Sequence, residues 1–140
     1  MQEYTELYSL LSTSRIGIEF FADLLKKSEH DSQRDRIFTA FEMCKHHIQA
    51  INHHFEVLNI EKQECDIKST MLSFIEKIKN LTLDSRYEID IACMEFLQEG
   101  IQRIEDLQEH DDLPKLSITL YNAIHHDYLL TQELFQECLN

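Results

Sequence analysis

An all-α four-helix bundle is the fold the sequence predicts, on three observations. Two glycines and one proline in 140 residues leave little material for tight turns or hairpins. Leu, Ile, Glu, Gln and Lys fill long segments in which apolar residues recur every three or four positions, the period of an amphipathic helix. The length suits a single domain, residues 1–140, that buries roughly two thirds of its extended surface on folding and so needs no staple.

Four long helices follow in order. The first runs from about Glu3 to Lys27 and carries Leu7, Leu10, Leu11, Ser14, Gly17, Ile18, Phe21, Leu24 and Leu25 on one broad face. The polar stretch Ser28 to Ser32 ends it and offers Asp31 or Ser32 as the next cap, so the first two helices are antiparallel neighbours. The second includes Ile37 to Leu58, with Phe38, Phe41, Cys44, Ile48, Ile51, Phe55 and Leu58 as its stripe, and breaks at Asn59. About twenty-five residues then intervene, and within them Ile67, Met71, Leu72, Phe74, Ile75, Ile78 and Leu81 predict a short extra helix in a crossover between helices two and three.

The third helix begins at Asp84 or Ser85, where Ser85-Arg86-Tyr87-Glu88 forms a capping box, and reaches about Glu109 with Ile89, Ala92, Cys93, Phe96, Leu97, Gly100, Ile104 and Leu107 inward. The fourth opens at Asp112-Leu113-Pro114, with proline in the first turn, and continues to about Cys138 with Leu116, Leu120, Ile124, Tyr128, Leu134 and Phe135 inward. Both glycines, Gly17 and Gly100, lie on apolar stripes inside helices, where each costs about 1 kcal/mol relative to alanine. They predict a close approach of helices at mid-bundle.

Charge narrows the partners. With 26 acidic and 13 basic residues the formal net charge is -13, which repels nucleic acid phosphates and anionic lipid headgroups alike. No segment approaches the ~20 apolar residues of a membrane span, and the opening MQEYTELYSLLSTSR has no basic region before an apolar run. Cys44, Cys65, Cys93 and Cys138 form no CxxC pair, which fits a reduced cytoplasmic protein.

Histidine concentrates on the second helix. Glu42, His46 and His53 share a face roughly opposite the apolar stripe and are the candidate metal ligands, because side chains at i and i+4 are neighbours and imidazole suits iron, zinc, copper and nickel. Two or three ligands from one helix do not close a structural site, so a partner chain would complete it. His47 and His54 flank the stripe with their ring tips toward water. His125 and Asp127, on a helix, diverge too far to form a dyad, and Lys45 and Asp127 are placed for a semi-buried ion pair. No phosphate-cradling loop, nucleophile elbow or GxGxxG occurs, so no catalytic set is read.

Gly17-Ile18-Glu19-Phe20-Phe21, Ile37-Phe38, Met94-Glu95 and Asp112-Leu113-Pro114, together with the crossover segment, make the chain resemble the bacterial ferritin-like, rubrerythrin-related four-helix bundles of unknown function. The resemblance spans nearly the whole chain. A di-iron centre of the ferritin-like pattern needs a glutamate from each of two helices and a Glu-x-x-His from each of the others. Here Glu19, Glu42, His46, Glu95 and His125 supply pieces, but Glu42 and His46 are four apart and Asn122 stands where the fourth helix would need glutamate. The leading expectation is therefore a non-enzymatic cytoplasmic bundle without a cofactor that acts through self-association, as a homo-oligomer, or through a protein partner, in a stress- or metal-related role. The alternative is a metal-binding protein that holds iron or another divalent metal and handles iron or peroxide. Ile16, Phe20, Ile118 and Leu129 fall outside the main stripes and predict a surface patch.

Overall fold

A computed structural model describes residues 2–59, 76, 86–109 and 115–139. Four α-helices occupy these residues: α1 (Gln2–Lys27), α2 (Asp31–Val57), α3 (Arg86–Gln108) and α4 (Lys115–Leu139). The expected crossover helix between Ile67 and Leu81, the cap at Asp84 or Ser85 and the opening Asp112-Leu113-Pro114 lie outside the described residues. No helix among the described residues is long and apolar enough to cross a membrane.

The direction of each helix follows from which ends touch. Tyr8 near the start of α1 stacks on Phe55 near the end of α2, with ring centroids 4.8 Å apart. Arg36, near the start of α2, meets Asp90, near the start of α3, and its guanidinium lies 5.7 Å from the Phe135 ring near the end of α4. His54 at the end of α2 bonds Ser117 at the start of α4. The order is up, down, down, up. α1 packs on α2 and α3, α4 packs on the other faces of the same two helices, and α2 ends at the opposite end of the bundle from where α3 begins.

Each helix contributes to one shared core that includes Phe20, Phe21, Phe55, Phe96, Tyr121, Tyr128 and Phe135. Phe20 and Phe96 stack at 4.7 Å, and Phe21 meets Phe96 edge to face at 5.3 Å. The glycines lie where helices converge, as expected. A Cβ on Gly17 would stand 2.5 Å from Cys44 Sγ, and one on Gly100 would stand 2.5 Å from the Tyr128 ring.

Four sequence expectations change. Ile16 and Phe20 are core residues, Phe20 being 1% exposed, because α1 is covered by two neighbours and buries more than one stripe. The seam of α2 is Ile37, Ala40, Cys44, His47, Ile51 and His54, alternating spacings of three and four, which turns Phe38 outward to 52% exposure. Leu134 is 37% exposed, since Phe135 takes the inward position at that turn of α4.

The fourth change concerns the cap of α2. His30 occupies the N-cap position without a side-chain hydrogen bond, so neither Asp31 nor Ser32 caps the helix. The turn is held from the other side. Arg34 donates to the carbonyls of Leu25 and Ser28, satisfying acceptors that the end of α1 leaves open. At the far end of α2, Asn59 adopts φ 55°, the left-handed conformation that asparagine tolerates, and closes the helix where the pattern broke.

Candidate functional site

Polar chemistry gathers along the seam between α2 and α4. Because α2 presents a heptad seam, His47 and His54 point inward at 2% and 6% exposure, and each finds a partner on α4. His47 Nε2 lies 2.9 Å from Asp127 Oδ2, and His54 Nε2 lies 2.8 Å from Ser117 Oγ. Burial holds the His47 pKa below its ordinary value, opposed by the hydrogen bond and charge of Asp127. A neutral ring with Asp127 as acceptor carries its proton on Nε2. Nδ1 is then a bare lone pair, buried and without a hydrogen-bond partner. Burial likewise lowers His54.

Around His47, burial keeps the neighbouring tyrosine and thiol protonated. The Tyr128 ring lies 5.4 Å from the imidazole, and burial raises its hydroxyl well above the usual range. The nearby Ser14 hydroxyl pulls in the opposite direction, although the two do not meet the geometry of a hydrogen bond. Burial pushes the Cys44 thiol up to about 12. A thiol at that value is not a nucleophile near neutral pH.

On the solvent side of the same seam lies a groove of about 470 Å³. From α2 come Glu42, Met43 and His46, and from α4 come Asp127, Leu130 and Leu134. Glu133 and Glu137 continue its acidic rim. Asp127 joins the two environments, since its carboxylate accepts from buried His47 while its side chain is 47% exposed. Leu130 is 49% exposed and sits one turn from Leu134, so α4 presents an apolar pair instead of a purely polar outer face. A smaller groove of about 340 Å³ between α1 and α3 differs, because its polar groups pair among themselves: Arg103 with Glu99 at 3.2 Å and Gln102 with Asp106 at 3.0 Å.

Glu42 and His46 thus share the α2–α4 groove, but His53 does not join them. His53 is two turns further along, about 10 Å by helical rise, and faces Glu56 at 4.0 Å in the open. Among the described residues no group of three or more His, Cys, Asp or Glu side chains is placed to hold one metal ion. Lys45 pairs with Glu42 at 3.6 Å and lies over the Phe41 ring, so the expected pair with Asp127 does not form. His125 does meet a carboxylate, Glu105 at 3.0 Å, from the neighbouring helix.

Sequence reasoning missed His47, His54 and the buried cluster around Asp90. The signal for both histidines is the unbroken alternation of three and four through 37, 40, 44, 47, 51 and 54. Family models, curated proteins and solved structures offer no match to this chain. Function therefore rests on the geometry.

Proposed function

We propose that the chain is a non-enzymatic cytoplasmic bundle of ferritin-like architecture that acts through protein contact on the α2–α4 groove. One observation carries this reading: an open groove of about 470 Å³ displays Leu130 and Leu134 together with four carboxylates, Glu42, Asp127, Glu133 and Glu137. Apolar surface framed by polar residues is the usual form of a contact site. The ferritin-like part is supported by α2 and α3 running parallel, as they do in bundles with one long crossover connection. A cytoplasmic setting is supported by Cys44, Cys93 and Cys138, which are all free thiols.

The competing reading, iron or peroxide handling, needs carboxylates turned into the bundle. Glu19 and Glu95 are exposed, and the Glu42 side chain is 43% exposed beside Lys45. His47 has a carboxylate partner, but among the described residues the buried thiols Cys44 and Cys93 are held protonated by burial. These placements favour contact over chemistry. Sedimentation of the chain in extracts of its own cells tests the reading. A complex lost on Leu130→Glu and kept on Glu19→Lys is expected. A chain that sediments as a monomer, or a complex indifferent to Leu130→Glu, would contradict it.

A further inference from the structure

We infer that the α2–α4 groove receives a basic amphipathic helix of a partner protein, an inference that rests on the contact function proposed above. Shape comes first. The groove lies between two antiparallel helices and so runs parallel to both, which is the seat for a third helix whose ridges of side chains enter it. Its α4 wall extends from Asp127 to Glu137, about 15 Å of helical rise, enough for three turns of an occupant. Apolar side chains at i, i+4 and i+7 of that helix would cover Met43, Leu130 and Leu134.

Charge decides the sign of the occupant. Among the groove residues, Glu42, Asp127, Glu133 and Glu137 are carboxylates and none is lysine or arginine. Glu42 pairs with Lys45 and Asp127 accepts from the His47 ring, whereas Glu133 and Glu137 have no hydrogen-bond or ion-pair partner for their carboxylates among the described residues. Lysine or arginine flanking the apolar face of the incoming helix would pair with these two. A second copy of the chain fits poorly, because a two-fold contact would set one acidic rim against another on molecules that each carry a net charge of -13.

Two labelled helical peptides of four turns, with identical leucines at i, i+4, i+7 and i+11, make the test on the full chain by fluorescence anisotropy. One carries lysine at the flanking positions and the other glutamate. The lysine peptide is expected to bind at least tenfold more tightly, to lose several-fold in affinity between 50 and 500 mM salt, where the screening length falls from about 14 Å to about 4 Å, and to lose at least tenfold on Leu130→Glu or Leu134→Glu. Glu133→Lys with Glu137→Lys should reverse the preference.

Equal affinity for the two peptides, or binding unchanged by both leucine variants, overturns the inference. Absence of peptide binding, together with a dimer that Leu130→Glu dissolves, assigns the groove to a second copy. That result overturns the basic helix while leaving the contact function standing. Absence of peptide binding with a monomer in cell extracts overturns both. Both leucines are solvent-exposed, and circular dichroism of each variant separates lost binding from lost folding.

Discussion

Two polar regions of this bundle are built from similar residues and differ in what they leave open. Where α1 ends and α2 and α3 begin, Ser28 donates to Gln33 at 2.6 Å, and Gln33 in turn donates to the Arg86 carbonyl at 2.7 Å and to Asp90 at 3.1 Å. Arg36 completes the cluster on Asp90 at 3.2 Å, with both side chains nearly buried. Every member but the Arg36 Nε has a partner, and the cluster is sealed. At mid-seam, His47 also meets a carboxylate, yet Asp127 is half exposed and borders a groove. A sealed and almost fully bonded cluster specifies how the helices meet, whereas a carboxylate shared between interior and groove is free to meet something else.

Asp90→Ala should have the largest effect, because it leaves Arg36 as a buried charge and strips Gln33 of an acceptor. Loss of one partner from a buried pair costs about 3–5 kcal/mol. Urea unfolding would measure it, and a cost below 1 kcal/mol would show that the sealed cluster does not hold the helix ends.

Gly100→Ala comes next. The added Cβ meets the Tyr128 ring, and overpacking of this kind costs about 1–3 kcal/mol, outweighing the gain in helix propensity. Gly17→Ala meets Cys44 Sγ instead, so Cys44→Ala should recover part of its loss in a double-mutant cycle.

Acid sharpens the comparison at the seam. The folded pKa values of His47 and His54 are both lowered by burial, below an unfolded value of about 6.5. Below that value the unfolded chain binds more protons than the folded one. The contribution of these histidines is therefore complete above about pH 6.5 and is lost as pH falls through their folded values. Thermal midpoints should decline on the acid side of about 6.5, and His47→Gln with His54→Gln should flatten the onset of that decline. The smallest stability change belongs to Leu134→Glu. This exposed substitution should stay within about 0.5 kcal/mol of wild type while removing partner contact.

The same two regions show how far the sequence can be read. The four long helices, the breaks near Lys27 and Asn59, and the close approach at both glycines were legible because they depend on period and backbone, which are local properties. The faces of α1 and α2 were less so. A helix touching two neighbours buries Ile16 and Phe20 beyond a single stripe, and the heptad seam of α2 takes in two histidines whose cost of burial is offset by α4.

Asp90 was detectable as a charge in register with Cys93, Leu97 and Gly100, a position that demands a partner. Its partner Arg36 lies 54 residues away across the connection between α2 and α3, and periodicity carries no information on that pairing. Glu42 and His46 were legible as neighbours on one face. That Asp127, Leu130 and Leu134 stand across from them depends on the packing of α4, and with it the conversion of a histidine patch into one wall of a groove.

Photo-crosslinking in the cells that make the chain tests the central claim most directly, with a photoreactive phenylalanine at position 134 and, separately, at position 19. A discrete adduct from position 134, absent from position 19 and removed by Leu130→Glu, is the result expected of a groove that binds a protein. Adducts of equal yield from both positions, or from position 19 alone, would contradict it.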